Sequence, residues 1–264
     1  MKRKYLLTCV VLGLFGGTSY SQEVETKEDE IPAFVAKFSN LSEEKRKAYN
    51  QHRGKATQFF GQKRTFESLD EIHQGLAIFD EDPTMWNLMG SCHVEFRSFE
   101  KAKKAFQRAL AIDEKNTGIL FNLAEMDFVT KQWKGCIDKL GVLTERLEEE
   151  ADGDMAESVL SLHRLAKFKS LLAHLKLGNE EEAREMAKQY SVDWDDTPFT
   201  YYSKAALAYF DKNDEEASRW IASAVRVFGG LQHVANWQDT LIEYGYVKSL
   251  YGGGGDEDID VSTN

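Results

Sequence analysis

The sequence carries six histidines, two cysteines beyond residue 21 and 44 side-chain carboxylates, the groups from which a metal centre or an acid–base pair would be built. His163 and His174 stand eleven residues apart in a helical stretch. That spacing puts them on nearly the same face but about 16 Å apart along the axis, too far to share an ion. No His-Glu-x-x-His and no Cys-x-x-Cys occurs, and no third ligand type gathers near a histidine pair. Asp211, Asn213 and Glu215 have the opening spacing of a calcium loop, but Glu216 takes the place of the required glycine and no glutamate closes the loop. The segment reads better as a turn between two helices. Gly252–Gly255 follow no strand and precede no helix, so they form no phosphate loop, and no serine sits in a Gly-x-Ser-x-Gly elbow. The carboxylates crowd onto solvated helix faces, where nothing buries an acid to raise its pKa. The expectation is a protein with no catalytic residues, no metal and no cofactor.

What positions these residues is helix. The chain has only three prolines in 264 residues, with 42% hydrophobic and 29% charged residues, which suits a folded, helix-rich protein. Lys2, Arg3 and Lys4 precede a thirteen-residue, mostly apolar run from Tyr5 to Gly17, and Ser19 and Ser21 supply small residues at minus three and minus one of a cut before Gln22. This is the layout of a secretory signal peptide over 1–21, too short to span a bilayer. An uncut membrane anchor is the alternative. Cys9 lies inside the run, too early for a lipid-modified cysteine. Loss of 1–21 removes three basic and no acidic residues, taking the net charge from −11 to −14. A chain so anionic lacks the clustered Lys and Arg that nucleic acid or an anionic lipid surface would demand. The expected location is the periplasm or the outside of the cell, with no membrane span after cleavage. Cys92 and Cys136 fall on apolar helix faces, where a cysteine packs as a small hydrophobe; a disulfide between them stays open.

Trp86, Met89, Gly90 and His93 mark one face of a helix. After Arg97-Ser98, Ala102, Phe106, Ala109 and Ile112 mark one face of a second. Such a hairpin cannot bury its apolar faces alone and must stack on copies of itself. The copies recur at thirty-four-residue steps: Ala56, Phe59, Ser68, Ile72 and Gly75 before it, and Leu120, Leu123, Ala124, Cys136, Leu140 and Leu143 after it. Leu171, His174, Ala183, Ala187 and Tyr190 follow after thirteen extra residues, and Tyr201, Ala205, Ala217, Ile221 and Ala224 follow those. Gly90 and Ala124, with Ala102, Ala183 and Ala217, supply the small seats against which a neighbour's large residue can rest. Starts near 49, 83, 117, 164 and 198 give five units over 49–231. The extra residues, Glu145–Glu157, predict a lengthened second helix in the third unit and two added turns on the first helix of the fourth.

This two-helix unit resembles the tetratricopeptide repeat family. The match is best over 83–116, where Trp86, Gly90, Ala102, Phe106 and Ala109 fit, His93 replaces a packing Tyr, and Glu114 stands where the family usually has Pro. The expected fold is all-α: a right-handed α-solenoid of about five two-helix repeats. A flexible segment and first helix over 22–48 precede it, Pro32 opening a helix with Phe34, Val35 and Phe38. A capping helix over 232–250 (Val234, Trp237, Leu241, Tyr244, Val247) and a disordered acidic tail over 251–264 follow it.

The resemblance implies a concave groove that holds protein or peptide segments. Mapped onto this chain, its stripe is polar in the first two units (Asn50, Arg53, Thr57, Asn87, Ser91, Glu95) and aromatic beyond them: Phe121, Glu125 and Phe128, then Phe168, Leu172 and Leu175, then Phe199, Tyr202 and Tyr209. The Lys, Arg and Asn set with which some members clamp a terminal carboxylate is missing, apart from Asn122. The candidate site is therefore Glu95, Phe121, Glu125, Phe128, Phe168, Leu172, Tyr202 and Tyr209. The alternative is that these aromatics are self-packed core under the cap or the lengthened helix. The expected function is an exported, non-catalytic scaffold for protein segments. A structural assembly subunit joined through its terminal helices, or a glycan-binding accessory protein, are the rivals; the oligomeric state is not set by the sequence.

Overall fold

Capping residues set where the helices begin. Ser42 Oγ accepts from the Lys45 amide, Asp82 from Thr84 at 2.7 Å with Pro83 in the first turn, Asn116 from Ile119 at 3.0 Å, and Asn213 from Glu216 at 3.2 Å. The structure, a computed structural model, describes residues 32–151, 155–195 and 197–247. All regular structure among them is helical: α1 Ala33–Ser39, α2 Glu43–Gly61, α3 Thr65–Ile78, α4 Pro83–Glu95, α5 Phe99–Ile112, α6 Thr117–Val129, α7 Trp133–Ala151, α8 Glu157–Lys176, α9 Glu180–Lys188, α10 Phe199–Phe210, α11 Asp214–Val227 and α12 Ala235–Tyr244, with one 3-10 turn at Leu231–His233. The expected signal peptide, the break at Asp152–Asp154 and the acidic tail lie outside the described residues.

The tight turns repeat one device. Lys63, Arg97, Lys131 and Lys212 take φ between 55° and 61°, and Gly178 takes 78°. Each is the left-handed residue that ends a first helix. The next amide then reaches back to the helix: Arg64 to the Phe59 carbonyl and Ser98 to His93, both at 2.8 Å, Asn179 to His174 at 3.0 Å and Asn213 to Ala208 at 2.8 Å. Carbonyls that would otherwise lack a partner are satisfied in this way.

The chain divides into two compact units, 1–130 and 131–264. The boundary falls between the two helices of the third expected repeat. In the first unit, α2 pairs with α3 and α4 with α5, while α3 lies on α4 and α5 on α6. Its N-terminal end is closed by three rings in edge-to-face contact, Phe38 of α1, Tyr49 of α2 and Phe79, with centroids 5.2–5.8 Å apart. The Tyr49 hydroxyl donates to Asp82 Oδ2, so the residue that caps α4 also ties down α2. In the middle, Phe106 packs among Ala102, Ala109, Leu123 and Met126. A Cβ at Gly90 would fall 2.7 Å from Cζ of that ring, which is why the seat is glycine. Lys103 reaches the buried Asp127 carboxylate at 2.6 Å and joins α5 to α6.

In the second unit, α7 pairs with α8, α8 with α9 and α10 with α11, and α10 also lies on α8. Ala183 and Ala217 are fully buried where α9 and α11 approach their partners. Of the two helices that take up the thirteen extra residues, α8 is the longest among the described residues at 20, and α7 equals α2 at 19.

Two boundaries differ from expectation. α2 starts at Glu43 and not near 49, because Ser42 caps it, so the segment 22–48 contributes one short helix and the start of another. α8, by contrast, starts at Glu157, the two added turns before the repeat start near 164 that the pattern led one to expect. The cap helix stops at Tyr244, well short of 250, because Gly245 turns left-handed at φ 94°.

Candidate binding faces

The first helices α8 and α10 carry the aromatic positions of the expected groove, and another helix already lies on them. Trp237 of α12 sits 5.4 Å from the ring of Phe168 and 5.8 Å from that of Tyr202, and the latter two are 6.1 Å apart. Phe168, Leu172 and Tyr202 are fully buried. The Tyr202 hydroxyl donates to Gln238 Oε1 at 3.4 Å, and burial pushes its pKa well above the usual phenol range. Beyond it, Tyr209, half-buried, stacks on Tyr246 at 5.3 Å. Lys169, 2% exposed, sends its ammonium to Glu243 of α12 at 3.4 Å.

In the first unit, Phe121 and Phe128 are each 1% exposed. α6 reads Ile-Leu-Phe-Asn-Leu-Ala-Glu-Met-Asp-Phe, apolar on all sides, and a helix of that kind is enclosed on all sides. Glu125 on the same helix is half-buried. The expectation of an open aromatic groove is thus corrected. Phe121, Phe128, Phe168, Leu172 and Tyr202 are core side chains, because the spacing that named their stripe does not reveal what packs against it.

The polar half of the stripe stands otherwise. Asn50 is exposed, and Arg53, Thr57 and Asn87 are half-buried. Arg53 Nε lies 3.5 Å from Asp82 Oδ2. Asn122, on α6, donates from Nδ2 to Asn87 Oδ1 at 2.9 Å, joining two successive first helices through their side-chain amides. Glu95 pairs with Lys63 at 3.0 Å on the exposed rim, and Ser91 is buried and donates to its own helix at Asn87.

The histidines and cysteines take structural places. His163, 1% exposed, lies between Glu148 of α7 and Arg164. Arg164 Nη1 donates to His163 Nδ1 at 2.8 Å, which leaves Nε2–H to donate to Glu148 Oε1 at 2.6 Å. Arg164 also pairs with Asp195 at 3.3 Å and lies over the Tyr190 ring at 3.8 Å. Burial, with Arg164 and Lys167 nearby, depresses the His163 pKa against the pull of Glu148. Burial likewise depresses His93 and His174. Among the described residues no group of three His, Cys, Asp or Glu could hold a metal ion. Cys92 and Cys136 are buried thiols not joined in a disulfide; Cys92 donates to Ser68 Oγ at 3.5 Å, and burial pushes its pKa up to about 11.

Sequence reasoning missed the Asn87–Asn122 pair, the buried Lys169 and its Glu243, and the part Trp237 plays. A signal existed for one of them: Lys169 is a lone charge amid apolar residues of α8.

Antiparallel helix hairpins with small residues seated under large ones define a helical-repeat protein. One of these hairpins matches a known family: residues 83–116, α4–α5, match the model of the tetratricopeptide repeat. The crystal structure of YrrB, a TPR protein with an unusual peptide-binding site, superposes with a TM-score of 0.50 at 15% identity, covering 78% of this chain and 98% of that one. A Pseudomonas aeruginosa PilF structure is similar at a TM-score of 0.38 and 12% identity, over 75% of this chain and 99% of that one. No curated protein matches the sequence. The chain thus carries a tetratricopeptide repeat and has the all-α fold of tetratricopeptide-repeat proteins, a fold of protein–protein interaction scaffolds. No helix among the described residues is long and apolar enough to cross a membrane.

Proposed function

We propose that this protein is an exported, non-catalytic scaffold that grips a segment of another protein along the first helices of its N-terminal unit. The observation that carries the reading is the amide pair of half-buried Asn87 and buried Asn122, which spans α4 and α6 beside half-buried Arg53 and exposed Asn50 on α2. A side-chain amide both donates and accepts, so a row of them suits the main chain of a bound peptide whatever its side chains. Arg53 adds a cation held by Asp82. The peptide-binding site of YrrB, a protein of this fold, supports the same use here. The basic head, apolar run and small residues of 1–21 support export, with the periplasm or the exterior as destination.

A displayed peptide library tests the reading. Wild-type protein should enrich a peptide family that Asn87→Ala and Arg53→Ala each release, with the helical circular dichroism signal unchanged. If both folded variants retain the same peptides, the polar face is not the site. Export is checked separately by the N-terminus of the exported chain, expected at Gln22 within two or three residues.

A further inference from the structure

Helix α9 stops early. It runs for nine residues where α3, α5 and α11 each run for fourteen, yet the left-handed residues on either side, Gly178 and Lys212, stay thirty-four apart. No glycine or proline stands in 189–197 to break it. The chain leaves the helix because its polar groups find other partners. The Trp194 and Asp195 amides donate to the Ser191 carbonyl at 3.2 and 2.9 Å, and the Asp193 amide donates to Ser191 Oγ at 3.3 Å. The buried Asp195 carboxylate receives Arg164 at 3.3 Å and the Thr197 hydroxyl at 3.0 Å, which pins this stretch to α8. The Tyr190 ring has the Arg164 guanidinium over it at 3.8 Å, with Phe199 at 4.9 Å and Trp194 at 5.5 Å. Shortening a helix and burying an ion pair both cost stability, and the result leaves Trp194 59% exposed beside exposed Val192. A large ring held out on a fixed stretch of chain is how an interface anchor stands before its partner arrives.

The inner ring shows what the outer one suits. Tyr190 and Asp195 share one guanidinium, that of Arg164. Trp194 and the exposed Asp193 offer a ring and a carboxylate again, on the outside. Among the described residues no cation lies over Trp194 or pairs with Asp193. The surroundings are acidic. Glu148 reaches the same network through His163, and Glu145, Glu149 and Glu150 are exposed on the same helix. The nearby cations are engaged, Lys167 with Glu148 at 3.8 Å and Lys188 with Glu185 at 2.6 Å. We propose that Trp194 is the anchor of a docking surface for a basic segment of a partner protein, with an arginine laid on the indole and paired with Asp193, and further cations facing Glu148 and Glu149. Tryptophan is the best ring for a cation, and a planar guanidinium stacks on it where an ammonium cannot. The surface shares no residue with the polar face of Arg53, Asn87 and Asn122, so either reading can fail alone.

The test uses the full chain and a short fluorescein-labelled peptide carrying arginines among glycines and serines, followed by anisotropy beside its lysine and glutamate counterparts. Wild type should prefer the arginine peptide to the lysine one and should not retain the glutamate one. Trp194→Ala should weaken arginine-peptide binding at least about fivefold. Asp193→Asn should weaken it as well, while Glu182→Gln, at an exposed carboxylate on α9, should bind as wild type does. All three should melt with wild type, because the substituted side chains are exposed. Equal binding by wild type and Trp194→Ala overturns the proposal, and so does equal affinity for the arginine and lysine peptides. The unaltered protein gives a reading free of any variant. The arginine peptide should shift the indole N–H resonance of Trp194 more than those of Trp86, Trp133, Trp220 and Trp237, and a larger shift at any of those four overturns it. Chitotetraose that moves the Trp194 resonance where the arginine peptide does not would make the ring a sugar platform and overturn it too. A wild-type dimer that Trp194→Ala abolishes would place a second copy on the ring and overturn the assignment to a partner protein.

Discussion

The ring of Phe106 occupies the space that a side chain at Gly90 would need. A Cβ there would approach three ring carbons, the farthest at 2.7 Å, and both residues are buried where α4 crosses α5. Gly75 has a softer version of the same relationship, in which its nearest neighbour is the flexible end of Met85 at 2.7 Å. A phenyl ring in a packed core cannot step aside as a thioether can.

Gly90→Leu should therefore lower stability by at least about 1–3 kcal/mol, the usual cost of overpacking. Gly54, within α2, has nothing within 4 Å of an added Cβ. Gly54→Ala should raise stability by up to about 1 kcal/mol through helix propensity. Urea unfolding of the pair checks both signs, and equal midpoints would undo the register assigned to α4 and α5.

Phe121→Ala and Phe168→Ala should each cost about 3–5 kcal/mol, as for a core phenylalanine. Thermal melts followed by circular dichroism read this directly. Variants that melt with wild type would restore these rings to an exposed groove.

Lys212 sits at φ 61° between α10 and α11, a conformation that glycine adopts without a Cβ penalty. Lys212→Gly should raise stability by about 0.5–1 kcal/mol, the relief exceeding the added freedom of the unfolded chain. Lys212→Val, branched at Cβ, should do the reverse. Identical melting of all three chains would show that the turn bears no strain.

The pKa of His163 is depressed in the fold, chiefly by burial, with Arg164 and Lys167 acting the same way and Glu148 opposing. The unfolded chain therefore takes up a proton that the folded chain refuses. Stability from this group is present above the unfolded pKa of about 6.5 and is lost as pH falls below it. His93 and His174 are depressed as well, so the slopes add. Melting temperature should drop from pH 7 to pH 5, and less steeply in His163→Gln, whose amide can still donate to Glu148. An unchanged slope would remove His163 from this account.

The two-helix period, the seat at Gly90, the helix opened by Pro32 and the lengthened helices around 145–157 were legible because each is local. They depend on residue type at a helical spacing, and packing is only its consequence. The candidate site was legible as a stripe but not as a surface. Periodicity tells which side chains share a face, yet Phe168 and Tyr202 are enclosed by Trp237, some seventy and thirty-five residues further on. The Asn87–Asn122 pair lay unseen for the same reason, since a side-chain amide bond between successive repeats leaves no mark on either helix. The early end of α12 was only half within reach, for Gly245 offers a left-handed stop while Val247 continues the apolar spacing beyond it.

The left-handed residues stand at 63, 97, 131, 178 and 212, thirty-four apart except across the extra segment. That segment enters between α7 and α8, at the end of each helix away from those turns, and moves the start of α8 back by seven residues, close to two whole helical turns. An addition of that size returns the face of the helix to its former bearing. A shorter stretch here would change the reach of one hairpin while leaving the thirty-four-residue phase of the turns on either side intact, so the α7–α8 hairpin can differ in length without displacing its neighbours' turns.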